Sequence, residues 1–333
     1  MTKLERNDGH SVWRKICVMH RASIGDTLLA TPVYRAIKEC FPDCRTVVVS
    51  SYAGAEMLEG NPHIDKLLPY RKGDSPAYII RAMWRADAAV VLDMHYRNAF
   101  FAFLAMVPRR IGRGRNFLTK RVQNDSENTF ETLKYLKLIG ELGITTDNLH
   151  LYRPMGTPDE VARVCNIAND VKGDKDKLVV IAPYSLSDIK NWEVDKYRQI
   201  IDRLNERQCA VAIIGGKDCC ERSKRDFPSA CNLTGEFNLR EVAEFVALAD
   251  LEICGCTSLL RIAAATDTAT VAIYGPSLPE RWAPRQNCTV ITKNFPCSPC
   301  YNTENACAPG ENRCLKAISV EVVWQATKNV LGL

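Results

Sequence analysis

No apolar run in this chain approaches the roughly 18 residues that a membrane-crossing helix requires. The apolar stretches at 88–92 and 100–107 are both too short. The first residues, Met1 to Ser11, are polar and lack the apolar core of a secretory signal. The expectation is a cytoplasmic protein, with peripheral contact at the inner membrane left open. Charge of one sign is not in great excess either. A net charge of +5 and a pI of about 8.4 fall short of the basic stripe and pI above ~9 of a nucleic-acid-binding domain. No short-period repeat is present. Fifteen cysteines are many for a cytosolic chain, yet far from the roughly 8–10% of a short secreted disulfide scaffold. Cys17, Cys209 and Cys254 lie in apolar runs and read as small buried hydrophobes.

What is present is globular. Hydrophobic residues make up 46% and charged residues 25% of 333 residues, enough for two lobes of about 150 residues each. Strands read at 15–20, 45–50, 64–70, 88–93 and 109–112, with helices at 27–40, 53–60, 76–86, 98–106 and 128–142 between and after them. Pro154, Gly156, Pro158 and Gly173 mark linker chemistry near 145–177, around a helix from 158. The alternation then restarts, with strands at 178–183, 210–215, 251–255, 270–275 and 289–293 and a last helix at 319–331. Strands separated by helices predict an α/β chain with parallel sheets covered on both faces. The expected division is 1–155, 156–318 and a C-terminal helix at 319–333. The densest basic patch, Arg109, Arg110, Arg113 and Arg115 followed by Lys120 and Arg121, suits either a solvated loop or an anionic partner such as a lipid phosphate or acidic sugar.

The chain is organised around residues 21–32, Arg-Ala-Ser-Ile-Gly-Asp-Thr-Leu-Leu-Ala-Thr-Pro. An apolar strand precedes them, and Leu29, Val33, Ala36, Ile37 and Cys40 follow at helical spacing. Asp26 thus falls at a helix start, where it reads as an N-cap, at the carboxyl end of a strand where α/β sheets bind ligands. Pro32 inside that helix is odd. The stretch resembles the N-terminal motif of the ADP-heptose:lipopolysaccharide heptosyltransferases, glycosyltransferase family 9: a small-residue turn ending in Gly-Asp, then Leu-Leu, a small residue and Thr-Pro. The resemblance implies the GT-B arrangement, two Rossmann-like lobes with a cleft between them, and makes Asp26 the catalytic base.

After the first strand of the second half, residues 182–192 carry Ser185, Ser187 and Lys190 ahead of Trp192. Hydroxyls and a lysine before a helix N-terminus suit a diphosphate; an ordinary loop with a solvated lysine fits the composition as well. The family looks the same here, which implies donor-phosphate contact by Lys190 and Ser185. Glu221 matches a glutamate that contacts the ribose in some members, and a solvated helix face is its other reading. Where the family shows Asp-Thr-Gly-Pro-x-His, this chain has Cys256, Thr257, Ser258, Leu259, Leu260 and Arg261. In the family this loop and helix start hold the donor phosphates through backbone N–H groups and the threonine hydroxyl. That role passes to Thr257, Ser258 and Leu259, while Arg261 puts a permanent cation where the family has histidine. Asp93, His95 and Arg97 match a segment whose placement implies acceptor contact; a solvated strand-end loop is the alternative.

Cys297 and Cys300 form a Cys-x-x-Cys pair, and Cys307 and Cys314 follow among turn residues Asn302, Asn305, Pro309, Gly310 and Asn312. Four soft ligands on a loop-rich stretch, 297–314, suit zinc or iron; a disulfide pair or free thiols are the alternatives. Some family members that glycosylate autotransporter proteins hold iron in this region, which implies a structural ion. No catalytic metal is expected.

The resemblance covers about 15 to 325. It implies an inverting transfer of a heptose or related sugar from ADP-heptose to a lipopolysaccharide core or another glycan, lipid-linked or protein acceptor. Two other classes stay open: a non-catalytic nucleotide-sugar-binding protein on the same scaffold, and a nucleic-acid-binding metalloprotein built on the cysteines and Arg109–Arg121. The charge balance argues against nucleic acid.

Overall fold

The Val- and Ile-rich runs pair in parallel and are buried along nearly their whole length, as strands covered by helices on both faces must be. The structure is a computed structural model and describes residues 13–123, 126–293, 295–301, 303, 306–307 and 311–333. The polar stretch before Ser11 and the turn residues Asn302, Asn305, Pro309 and Gly310 lie outside the described residues. The chain divides into two units, residues 1–154 and 155–333.

The first unit runs β1 (Lys15–His20), α1 (Ile24–Leu29), α2 (Thr31–Cys40), β2 (Arg45–Ser50), α3 (Tyr52–Leu58), β3 (Lys66–Pro69), α4 (Ala77–Met83), β4 (Ala88–Val91), α5 (Tyr96–Leu104), β5 (Arg109–Gly112), β6 (Lys120–Arg121) and α6 (Glu131–Gly140). Its sheet has the order β3-β2-β1-β4-β5-β6. Cys17, Met19, Val47, Val49, Ala89 and Val91 supply part of its core from one face of the central strands.

The second unit runs α7 (Pro158–Lys172), β7 (Lys177–Ala182), α8 (Val194–Glu206), β8 (Cys209–Ile213), α9 (Cys220–Asp226), β9 (Cys231–Asn232), α10 (Leu239–Ala247), β10 (Leu251–Gly255), α11 (Ser258–Ala265), β11 (Thr270–Tyr274), α12 (Pro279–Trp282), β12 (Cys288–Thr292), α13 (Arg313–Lys316) and α14 (Val320–Leu331). Its sheet order, β12-β11-β10-β7-β8-β9, repeats that of the first. Both are doubly wound α/β sheets whose strand order reverses beside the first strand, between β1 and β4 and between β7 and β10. Crevices outside the carboxyl ends of such strand pairs are where α/β sheets place ligands. The two-residue strands β6 and β9 carry no periodicity that a sequence reading could detect.

The expected single helix over 27–40 is two helices. Ala30 separates them, and Pro32 stands in the first turn of α2. A missing N–H costs nothing there, because that N–H has no helical acceptor. Among the described residues no helix is long and apolar enough to cross a membrane.

Candidate active site

Ser23, in extended conformation, caps α1. Its Oγ accepts from the Asp26 N–H at 3.4 Å and donates to Asp26 Oδ2 at 2.9 Å. Asp26 is therefore the third residue of the helix. This corrects the reading of Asp26 as an N-cap: the non-helical backbone a cap requires lies at Ser23.

Asp93 follows β4. Its carboxylate accepts from the backbone N–H groups of Arg21 at 3.1 Å and His95 at 3.0 Å, and from Asn98 Nδ2 at 2.6 Å. Burial raises its carboxyl above 3.8, against the pull of those two N–H groups. Asp93 thus ties the loop after β1 to the loop after β4. His95 and Arg97 are exposed at the start of α5.

His20, which sequence reasoning passed over, ends β1. It is buried edge-on against Tyr135 at 5.0 Å. Burial, with Arg113 nearby, lowers it to about 3 and keeps it neutral. Arg113 pairs with buried Glu131 at 3.0 Å. A single histidine at the end of an apolar strand gives no signal to find it by.

At the switch point of the second sheet, the Ser185 N–H donates to Asn191 Oδ1 at 2.7 Å and its Oγ to the Ser187 carbonyl at 2.7 Å. The Ser185 hydroxyl is thus used to close its own loop. Lys190 ends a single 3-10 turn, and its Nζ lies 3.4 Å from the centroid of the Tyr301 ring. Gly255 allows the Lys190 carbonyl to approach the end of β10; a Cβ there would meet it at 3.2 Å. Thr257 caps α11 with its backbone only, and its buried Oγ1 has no hydrogen-bond partner among the described residues. The N–H groups of Ser258 and Leu259 open the helix, where intrahelical acceptors run out.

Arg261, 5% exposed, turns back to this end. Its Nη1 donates to the Thr257 carbonyl at 2.8 Å, and both Nη atoms lie 3.6 Å from Cys256 Sγ. Burial works to raise the Cys256 thiol, but Arg261 and Lys190 outweigh it and bring it below 9.0. The structure thus gathers Ser185, Lys190, Thr257, Ser258, Leu259 and Arg261 at one end of the second sheet. Glu221 takes no part in these contacts; it pairs with Lys224 on the solvent side of α9, with its side chain 89% exposed.

The cysteine segment packs against the same end. Ser298 Oγ donates to the Gly275 carbonyl at 2.7 Å, and the N–H groups of Cys300 and Tyr301 reach the Pro276 carbonyl at 3.0 Å. Asn312 Nδ2 donates to the carbonyls of Asp188 at 3.1 Å and Asn191 at 3.3 Å. Tyr301 and Asn312 brace the Lys190 loop, a role that spacing does not announce. All fifteen cysteines are free. Burial raises the thiols of Cys300 and Cys314, and Cys297 and Cys307 are close enough to raise them further. Their chemistry suits a thiophilic ion, but among the described residues no three His, Cys, Asp or Glu side chains are arranged to hold one.

Comparison with known proteins adds the family. The profile of "Glycosyltransferase family 9 (heptosyltransferase)" matches residues 80–309, more than half of the chain. Lipooligosaccharide heptosyltransferase 2 of Haemophilus influenzae is 21% identical over 305 residues, 84% of this chain and 88% of that protein. Among solved structures, a family 9 glycosyl transferase from Veillonella parvula superposes with a TM-score of 0.83 at 21% identity, covering 96% of this chain and 97% of that one. E. coli ADP-heptose LPS heptosyltransferase II gives 0.78 at 20%, covering 95% and 98%. The iron-containing glycosyltransferase TibC of enterotoxigenic E. coli gives 0.62 at 14%, covering 99% of this chain and 78% of that one. The fold is the expected GT-B class of two Rossmann-like units, and the chain belongs to glycosyltransferase family 9, the heptosyltransferases.

Proposed function

We propose that the protein is an inverting heptosyltransferase that moves a heptose from ADP-heptose to a hydroxyl of a lipopolysaccharide-core acceptor. The observation that carries this reading is the polar end of the second sheet. There a buried arginine, a lysine and an unpartnered threonine hydroxyl stand with the open N–H groups of α11. Such a group of donors suits a diphosphate leaving group. The first unit is read as the acceptor lobe and the second as the nucleotide-sugar lobe.

In this mechanism Asp26 accepts the proton of the acceptor hydroxyl as its oxygen attacks the anomeric carbon. The bond from that carbon to the diphosphate oxygen breaks, and ADP departs. Lys190, Thr257 and Arg261 stabilise the charge that develops on it, and Tyr301 and Asn312 hold the lysine's loop. Ser23 and Asp93 orient Asp26 and its loop; His95 and Arg97 supply acceptor contacts.

Asp26→Asn keeps the shape and removes the base. Its kcat should fall by about 10²–10⁴-fold, with ADP affinity unchanged by titration calorimetry. Full transfer activity in this variant overturns the assignment. Tight ADP-heptose binding by the wild type with no turnover favours the binding-only reading, which the replacement of aspartate and histidine by Cys256 and Arg261 keeps in play.

Two further assignments belong to this reading. Cys297, Cys300, Cys307 and Cys314 would supply thiolates to one structural iron or zinc ion, since their segment braces Lys190. Metal analysis of protein purified without chelator should then find about one equivalent, and metal-free, stable protein removes the assignment.

The second assignment is a peripheral membrane surface on the first unit. The outer face of α5 presents Tyr96, Arg97, Phe100, Phe103 and Leu104 at helical spacing, and Phe117 stacks on Phe100 and Phe103 at 4.9 and 5.6 Å. Residues 94–123 contain seven Arg and Lys and no Asp or Glu. Exposed rings together with the exposed Arg97, Arg109, Arg115 and Arg121 suit an anionic phospholipid headgroup layer.

A further inference from the structure

Arg21 is the first residue after β1 and stands on the loop that leads into α1 and Asp26. Its guanidinium lies over the Tyr70 ring at 5.1 Å from the centroid. That ring is itself fixed, edge-on to Phe101 at 5.6 Å and tilted to Tyr78 at 6.4 Å. The backbone is held as well. The Arg21 N–H donates to Asp93 Oδ2 at 3.1 Å, and Ser51 Oγ donates to the Ala22 carbonyl at 2.9 Å. The guanidinium is therefore in place before any ligand arrives, which lowers the entropy lost on binding.

Its charge, by contrast, is unanswered. Two other arginines of the first unit have acids: Arg71 pairs with Asp74 at 3.4 Å and Arg113 with Glu131 at 3.0 Å. The Arg21 guanidinium has neither a carboxylate partner nor a hydrogen-bond acceptor among the described residues, although the side chain is partly buried and its Nε fully so. Asp93 does not fill the gap. Its two oxygens already accept from the N–H groups of Arg21 and His95 and from Asn98 Nδ2. A guanidinium withdrawn from water without an acceptor costs free energy that a bound anion would recover. The planar fork of arginine fits a carboxylate or a phosphate by two parallel hydrogen bonds.

We propose that Arg21 is a specificity-determining residue that recognises a negatively charged group, carboxylate or phosphate, on the acceptor sugar. The five-residue step from Arg21 to Asp26 spans at most about 18 Å. The charged group therefore lies near the hydroxyl that Asp26 deprotonates, and not on a remote part of the acceptor. Arg21 takes no part in the proton transfer. The anion site stands on the local geometry, whereas its role in choosing an acceptor rests on reading Asp26 as the base.

The test uses the full chain and a deacylated lipopolysaccharide core that lacks heptose. The glycan is prepared in three forms: intact, treated with phosphatase, and with its carboxylates methyl-esterified. Titration calorimetry with wild type should show binding about tenfold or more weaker for one treated form, and the treatment that does so tells phosphate from carboxylate. Arg21→Gln should bind the intact glycan as weakly as wild type binds that treated form, with no further loss on treatment. Arg21→Lys keeps the charge without the fork and should fall between the two; it carries the test if Arg21→Gln does not fold. In transfer from ADP-heptose the loss should appear in the acceptor KM, with kcat within about twofold of wild type. Wild type that binds the three forms equally, or none of them, overturns the proposal, as does a treatment effect of the same size in Arg21→Gln. Charge-dependent binding through Arg21 with no transfer upholds the anion site and overturns the transferase reading instead.

Discussion

Glu252 is a buried carboxyl in the core of the second unit. It lies in β10 with 0% exposure, and the thiol of Cys254 is the side chain that stands against its carboxyl. Burial raises its carboxyl from 4.5 to about 8. Between those values the native state keeps a proton that the unfolded chain has lost. The contribution of this group to stability is therefore fully present below pH 4.5 and is lost as pH rises towards 8, by on the order of 1.4 kcal/mol per pH unit within that window. Glu252→Gln removes the titration. The melting temperature of the variant relative to wild type should rise by several degrees between pH 5 and pH 8, read by thermal unfolding across pH. A difference that stays constant with pH shows that the carboxyl is not held protonated.

At the scale of elements, the two polar loops are positioned by neighbours that lie far away in sequence. Asp93 sits 72 residues from Arg21, whose N–H it accepts. Tyr301 and Asn312 follow the last strand yet hold the loop after β7. Tyr301→Leu removes the ring under Lys190, a contact worth about 0.5–2 kcal/mol. ADP affinity should drop about 2- to 30-fold by calorimetry, with the melting temperature little changed; unaltered affinity shows that the ring does not position the lysine. The first helix has a similar support. A side chain at Gly54 of α3 would collide with the Ser50 and Thr27 oxygens, so Gly54→Ala should push α1 and Asp26 aside. Its kcat should fall at least tenfold in a transfer assay, with ADP binding intact. Unimpaired turnover shows that α3 does not hold Asp26 in place.

At the scale of the whole molecule, two sheets with one strand order are built from sequences that share no short repeat, because the order depends on alternation and not on residue identity. The basic and aromatic surface around α5 is likewise collective. Co-sedimentation with vesicles containing anionic phospholipid should retain the wild type at low salt and release it at high salt. Phe103→Ser with Phe117→Ser should weaken retention about tenfold or more, because each exposed ring withdrawn from the interface forfeits apolar burial. Equal retention on neutral vesicles, or none at low salt, rules this surface out as a membrane contact.

Several features were legible in the chain alone. Apolar runs of four to six residues separated by amphipathic stretches dictate a parallel α/β architecture, because strands buried on both faces need apolar residues throughout. The Gly25-Asp26, Lys190-x-Trp192 and Thr257 stretches fall at strand ends, so their place at the rim of a sheet followed from order along the chain. The break at Ala30, the cap at Ser23 and the engagement of Asp93 did not, since each depends on a local backbone angle or a partner across the sheet. The Arg261–Cys256 contact and the brace of Lys190 by Tyr301 arose only when separate strand ends met. Periodicity records which face of an element is buried; it holds no record of which polar atoms from distant loops come within 4 Å of one another, and tertiary packing alone decides that.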